Sequence, residues 1–533
     1  MKKLILLLIF TFPIFAIAQP VTLFQQFNGR YDFTAVGNTL NEFPNSVGNY
    51  CDMLPQSSAN LNLNVGQTLV SAQLYWSSVG TGDFDVALNG VPVSAQRIFS
   101  YTRTLPYFAA QADVTDIVRS IGNGSYTFSD MDVMAVLPQY CTQSNYGGWA
   151  MYIIYEDPSL LLNQISLFDG LEGVAVLNDP VQITLTNIDV TSDRFSKIGF
   201  LAWEGEESIR VEESLLINGI LISNPPLNPP NNAFNGTNSY TGSDVNYNMD
   251  LDYYDLEGIV QPGDTSILIE LTSDQDHIIV NNIITSVNSE LPDATIEIDE
   301  LGLICENGDI DVEYTVYNVN STNELPPNTP IAFYADDGVN PPALLGQTAT
   351  VNEIPIGGSE RGTITLSLPT ALPNNFDLIA VVDDIGDGTG IVSETDETNN
   401  EFVLPVDKSN QIIIIDPGPA CIGAPVVLDS GLTNPPYTVI FWFRNGIEVA
   451  RDITQLVVTT DGIYTVQAFD GACEVNNFDR PVVITFRPQP VANFAPDMYQ
   501  CDYGTTNGTF NLRDNDLAIL GAQNPADFRI DYY

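Results

Sequence analysis

A single histidine, His277 in the segment SDQDHIIV, limits the chemistry open to this chain. An HExxH zinc site, or any two-histidine metal site, needs a second imidazole, and a Ser-His-Asp triad would have to be built on this one residue. The segment reads as the start of a strand, so no catalytic role is assigned to it. Glu204, Glu206, Glu207, Glu212 and Glu213 crowd one hairpin-like stretch. Two carboxylates at suitable separation could serve as acid and base in glycoside hydrolysis. A chain with 67 acidic against 17 basic residues produces such clusters without selection for catalysis, and no barrel or cleft pattern accompanies this one. The expectation is therefore a protein with no catalytic residues.

Oxygen ligands for a hard cation are better represented. In DDIGDGTGIVSE, residues 383–394, Asp383, Asp387, Gly388 and Glu394 fall on positions 1, 5, 6 and 12 of an EF-hand loop, but Ile385 occupies position 3, where an oxygen is required. What remains is a looser oxygen site on Asp383, Asp384 and Asp387, with Ca2+ as the one cofactor the residues suggest. Asp250, Asp252 and Asp255 form a second, weaker set. Trp76, Trp149 and Trp203 could stack on sugar rings, yet each lies in an apolar strand pattern that points to core packing. Phe234, Tyr240 and Tyr247 are the candidate ligand contacts, because they lie in NPPLNPPNNAFNGTNSYTGSDVNY, a loop too long to be a simple connection. The alternative is that this loop packs its rings on its own scaffold.

The elements that would hold these residues are strands. Short β-rich runs separated by Gly, Asn, Asp and Pro fill the chain, and few segments sustain a helical period. WAMYIIYE, residues 149–156, has large residues on both alternating faces, as a central strand covered on both sides requires. LNLNV, residues 61–65, alternates like a half-buried strand. Asn89-Gly90, Asn218-Gly219 and Asn445-Gly446 each lie between short apolar runs and predict tight hairpins. DVTDIVRSI is the exception, where Asp113 or Thr115 could cap one or two helical turns. The fold class expected is all-β, as several tandem β-sandwiches of jelly-roll and Ig-like type.

Residues 1–18, MKKLILLLIFTFPIFAIA, read as a secretory signal, with two lysines, an apolar run and small residues at Ala16 and Ala18. Behind it come a large N-terminal β-sandwich region at 19–290, which could be two sheets or two packed subdomains, a unit at 291–407, a second at 408–487, and the start of a further one at 488–533. That last segment reads as the beginning of a domain interrupted inside a strand. No later stretch approaches the roughly 20 apolar residues of a spanning helix. A net charge of −50 argues against nucleic acid and anionic lipid, both of which call for a positive patch. The partner left open is a surface glycan or a protein, and the location expected is extracellular or at the cell surface. Six cysteines in an exported chain suggest pairing. Cys51 and Cys141 fall inside one unit and Cys421 and Cys473 inside another, with Cys305 and Cys501 left over.

Residues 295–402, through YTVYNVNS and above all AVVDDIGDGTGIVSETDETNNEF, resemble the cell-adhesion-related domain of bacterial surface proteins, CARDB, which implies an Ig-like sandwich. Residues 421–486 look like Ig-like or polycystic-kidney-disease-type repeats. Trp442 stands where an Ig core tryptophan would, and Asp461-Gly462-Ile463-Tyr464 resembles a tyrosine corner. In such a sandwich Cys421, before the second strand, and Cys473, after the sixth, would lie far apart, whereas a bridge needs Cα atoms within about 7 Å. The N-terminal region resembles a domain of large secreted proteins of gliding bacteria, through Leu74-Tyr75-Trp76, Leu88-Asn89-Gly90, Ala112-Asp113-Val114-Thr115-Asp116, Gly148-Trp149 and Tyr155-Glu156-Asp157-Pro158-Ser159, with a fainter echo of galactose-binding jelly rolls. These resemblances imply a surface adhesin or scaffold, exported by type IX secretion, in which Ig-like units act as spacers behind an N-terminal binding domain. The alternative is a carbohydrate-binding module of a secreted polysaccharide-processing protein.

Overall fold

The computed structural model describes residues 19–45, 52–132, 140–175, 180–302, 309–369, 371–408, 420–432, 439–470, 473–478, 481–487 and 510–523, with a few shorter stretches up to 530. The expected leader, Cys51, Cys305 and Cys501 lie outside the described residues. The described part is mostly β, in several separate sheets, as tandem sandwiches require.

Four antiparallel sheets make up the N-terminal region. The two central ones have five strands each. The first runs in the order Tyr31–Thr39, Gly147–Glu156, Thr68–Val79, Pro106–Asp113, Arg97–Thr102, and the second in the order Gln19–Gly29, Asn163–Val174, Ile278–Ser289, Val190–Trp203, Met249–Asp255. Each also packs its other face on a four-stranded sheet. Strand Gly147–Glu156 shows why, since its side chains alternate between two cores. Trp149, Met151 and Ile153 join Trp76 and Phe128 in the core under the outer sheet of Gln56–Leu61, Gly124–Ser129, Asp85–Leu88 and Val91–Ser94. Ala150, Tyr152 and Ile154 face the opposite way and meet Leu201, Trp203 and Leu251 of the second central sheet. A third core, around Phe200, Ile269 and Ile283, separates that sheet from the outer sheet of Val181–Leu185, Ile267–Thr272, Ser214–Ile217 and Ile220–Ile222. The region is thus two sandwiches packed back to back, with both central sheets buried on both faces.

The three Asn-Gly hairpins form as expected. Asn89, Asn218 and Asn445 have φ of 51°, 50° and 50°, and Gly90, Gly219 and Gly446 have φ of 76°, 76° and 78°, the left-handed pair that matches the twist of the flanking strands. The helix also forms, over Thr115–Ile121, where Asp113 Oδ1 accepts the Thr115 amide at 2.8 Å. LNLNV is a correction. The strand is Gln56–Leu61, ending where its partner ends, at the Leu61–Gly124 pair. Asn123 then closes the ladder by bonding the Leu63 amide and carbonyl at 2.7 and 2.8 Å, and Val65 lies in solvent.

Residues 294–407 form a seven-stranded sandwich. Sheet Ala294–Leu301, Asp309–Asn318, Gly358–Ser367 packs on sheet Ala343–Ala349, Pro330–Asp336, Asn375–Val382, Glu401–Asp407 around one core containing Phe333, Leu378 and Val382. In the next unit Trp442 is fully buried, with Nε1 donating to the Ile453 carbonyl at 2.9 Å, and Tyr464 donates its hydroxyl to the Thr460 carbonyl at 2.7 Å, closing the expected corner. Cys421 there is a free thiol, which corrects the Cys421–Cys473 pairing. Its strand Ala420–Cys421 pairs with Phe486–Arg487, while Cys473 sits across the hairpin from Asp470 in another sheet, so the two are carried by strands with no common neighbour. Cys141 is disulfide-bonded; Cys51, the partner its position suggests, is outside the described residues.

Candidate functional site

The long loop at 224–247 is wound around two carboxylates of the strand Met249–Asp255. Asp250 Oδ1 accepts three successive backbone amides, from Asn235 (2.8 Å), Gly236 (2.7 Å) and Thr237 (3.2 Å). Asp252 accepts the Ser239 amide at 2.8 Å on Oδ1, and the Thr237 hydroxyl and Asn228 amide at 2.8 and 3.3 Å on Oδ2. Both side chains are wholly buried, and burial raises the Asp252 carboxyl to about 6. Asp255 is exposed at the strand end, so the three do not converge.

This winding settles the aromatic candidates. Phe234 is fully buried, edge-on to Phe200 with centroids 5.3 Å apart, and presents no face to a partner. Tyr240 is half-buried against Tyr253 at 4.9 Å, and Tyr247 is half-buried. Tyr240 does line a groove of about 490 Å³ between the loop and the strands Tyr31–Thr39 and Gln56–Leu61, whose other polar groups are mostly amides, including Asn38, Asn60, Asn238 and Asn246. The three tryptophans that could have met a sugar are core residues with no exposed surface, their indole N–H groups satisfied by the Asp83 carbonyl, Ser57 and Asn281.

His277 stacks on Tyr101 at 5.5 Å and meets the Tyr101 hydroxyl at 3.2 Å through Nε2. Burial, helped by the Arg103 charge, depresses its pKa to about 4, which keeps the ring neutral. Of the five glutamates that could have made an acid–base pair, Glu207 and Glu212 are exposed, while Glu204 and Glu213 are buried. Burial raises Glu213 to about 10 and Asp276 to about 7, with neighbouring carboxylates adding to both. These groups hold protons near neutral pH, as buried acids without a counter-charge do.

In the 294–407 sandwich the three aspartates expected to share a cation are divided by their hydrogen bonds. Asp384 is a turn anchor: Oδ1 accepts the amides of Gly386 (2.7 Å), Asp387 (3.2 Å) and Gly388 (3.0 Å), and Oδ2 accepts the Tyr334 hydroxyl at 2.6 Å. Asp387 is exposed and bonds Thr389. Asp383 likewise accepts backbone amides, from Ile391 and Val392 at 3.0 Å on Oδ2, but it alone of the three faces other acids. One carboxylate oxygen each of Asp383, Glu394 and Glu397 lies within 4.8 Å of the other two, with Asp383 and Glu394 buried and Glu397 exposed. Glu394 stood at the end of the loop read from the sequence. Glu397 was missed, although its spacing of three from Glu394 is a signal that both could reach one point. Burial, together with Asp383 and Glu397, pushes the Glu394 carboxyl up to about 8.

The class defined by this architecture is a serial β-sandwich protein. Residues 291–404 match the CARDB family, so that unit is a CARDB domain. Among curated proteins none matches the chain significantly. Similar solved structures include the CARDB domain of a Pyrococcus furiosus protein, at 23% identity and TM-score 0.17, covering 22% of this chain and 95% of that one. A putative beta-galactosidase from Bacteroides fragilis is 11% identical with TM-score 0.15, over 47% of this chain and 34% of that one, so the match spans about a third of the enzyme. The adhesin domain of Epf from Streptococcus pyogenes is 10% identical with TM-score 0.14, over 48% and 79%.

Proposed function

We propose that the protein is a non-catalytic extracellular adhesin or scaffold at the cell surface, in which the double sandwich at 19–290 makes the binding contact and the CARDB and Ig-like units space it from the cell. The observation that carries this is the CARDB domain, a module named for cell adhesion, following directly on the double sandwich. No helix among the described residues is long and apolar enough to cross a membrane. Residues 1–18 supply the export signal in this proposal, and the resemblance to gliding-bacterium proteins suggests type IX secretion as the route. Antibody labelling of intact cells tests it: signal at the surface is expected, and signal only after lysis would refute it.

The second reading is a carbohydrate-binding module, favoured by the amide-lined groove beside Tyr240, since side-chain amides and a tyrosine are groups that recognise sugar hydroxyls. A glycan array probed with the purified chain decides between them, because absence of binding to every glycan removes the second reading.

A further inference from the structure

The groove beside Tyr240 is walled by two strand edges and a loop. Tyr31–Thr39 stands at the edge of one central sheet, pairing with Gly147–Glu156 alone, and Gln56–Leu61 at the edge of the outer sheet packed on it, pairing with Gly124–Ser129 alone. Residues 34–38 of the first strand and 58–62 at the end of the second line the groove, and the loop at 238–246 supplies the third wall. Five residues of extended chain measure about 14 Å at about 3.4 Å per step, a length suited to several linked units of a polymer.

The chemistry of the lining is neutral. None of the fifteen described residues that form it is charged, in a chain with 67 acidic and 17 basic residues. Three other cavities, of about 420–610 Å³, each hold at least one carboxylate, from Glu42, from Asp113 and Asp116, or from Glu207 and Asp244. Two of the groove's amides belong to the scaffold. Asn246 is buried and donates to the Met249 carbonyl at 2.9 Å, and Asn238, also buried, accepts the Thr241 amide at 3.2 Å on Oδ1. Asn60 and Asn62 differ, because both are exposed and their side chains bond no other described residue. Tyr240 contributes its ring. Its hydroxyl is buried over Gly199 of the strand Val190–Trp203, 2.9 Å from where a Cβ there would stand, so the part of the side chain left open is the ring.

Resting on the carbohydrate-binding reading of the double sandwich, we propose that this groove binds an uncharged oligosaccharide, with the Asn60 and Asn62 amides bonding its hydroxyls and the Tyr240 ring packing against the apolar face of a sugar. A side-chain amide offers donors and an acceptor together, which matches a hydroxyl that is both. A glycan bearing uronate or sulfate would bring negative charge to a groove with no Lys or Arg in its described lining, in a chain of net charge −50, and so meets repulsion without a partner. An extended peptide is the other polymer that open strand edges attract. Here Asn38 Nδ2 donates to the Ser58 carbonyl at 3.0 Å, which ties one edge to the other and puts a side chain across the path an added strand would take.

The test is binding of the purified full chain to arrays of neutral glycans, of uronate- and sulfate-bearing glycans, and of peptides. The neutral glycan bound most tightly is then titrated calorimetrically into the unaltered protein and into Asn60→Ala, Asn62→Ala and Tyr240→Leu. Binding to neutral glycans is expected, unchanged within about twofold between about 50 and about 500 mM salt, because no ion pair is made. Each asparagine variant should bind about threefold to tenfold more weakly, as loss of one or two uncharged hydrogen bonds requires, and Tyr240→Leu should lose about as much with the ring. Asn60 and Asn62 are exposed, so their variants keep the probe usable if Tyr240→Leu misfolds, and circular dichroism checks all three. Binding to acidic glycans at equal or higher affinity, or to peptides instead of glycans, would overturn the ligand class. Equal affinity for the neutral glycan in all four proteins would overturn the site and leave the carbohydrate-binding reading standing. Binding to no glycan at all would remove both. The surface-labelling result is unaffected by any of these.

Discussion

Replacing Asp276 by asparagine should alter the stability of the N-terminal region by an amount that depends on pH. Asp276 is 8% exposed, accepts the His277 amide on Oδ1 at 2.7 Å, and has no partner for Oδ2. Burial, reinforced by Glu206, raises its pKa from 3.8 to about 7. A carboxyl whose folded value is raised favours folding when protonated, so its contribution is complete below the unfolded pKa and is lost as pH rises through the folded one. From about pH 5 to about pH 8 the folded chain sheds a proton that the unfolded chain has already lost. The two units between about pH 5 and the folded pKa correspond to about 3 kcal/mol at about 1.4 kcal/mol per unit. His277 acts in the opposite sense, since its depressed value costs stability as pH falls below that of a free imidazole. It is present in both proteins and drops out of the difference. Trp76, Trp149 and Trp203 are all in the N-terminal cores, so tryptophan fluorescence during urea unfolding follows this region, with Trp442 as the one outside contributor. The stability of Asp276→Asn relative to the unaltered chain should rise by about 3 kcal/mol between about pH 5 and about pH 8. A difference that stays constant within about 0.5 kcal/mol would refute the assignment of a buried, proton-holding carboxyl.

Asp252→Ala should free three donors that now converge on the carboxylate, costing about 1–3 kcal/mol and opening the loop at 224–247 to limited proteolysis, as mapped by mass spectrometry of the fragments. Gly170→Ala should destabilise the central sheets by about 1–3 kcal/mol, because a Cβ there would come within 2.5 Å of the Pro20 carbonyl oxygen in backbone that cannot give way; thermal unfolding reads it. Tyr464→Phe removes the bond to the Thr460 carbonyl and should cost the Ig-like unit about 1 kcal/mol, visible as a lowered midpoint in the transition that carries the Trp442 signal.

The alternation of apolar residues, the Asn-Gly pairs and the turn residues between runs made the all-β class, the three hairpins and the short helix legible from local pattern alone, because each depends on residues within a few positions of one another. The burial of the tryptophans followed from the same periodicity. The double-sandwich stacking did not, since a strand such as Gly147–Glu156 announces that both its faces are covered and not by what. Local pattern also misjudged LNLNV, whose alternation is real but whose neighbouring strand starts too late to pair with it. The cysteines show the same limit, because a free Cys421 follows from which strands its backbone joins, over a separation no spacing rule reaches.

For the sites, the sequence by itself determined where acids are dense and where a loop is long, and those are properties of composition. Tertiary structure decided which carboxylates meet and what holds each of them. Asp384, Asp252 and Asp383 all accept backbone amides of their own loops, and of these Asp383 is the one brought beside two other acids, Glu394 and Glu397. The physical reason is that the donors and charges around a carboxylate come from segments the fold brings together, and local spacing along the chain does not encode that convergence.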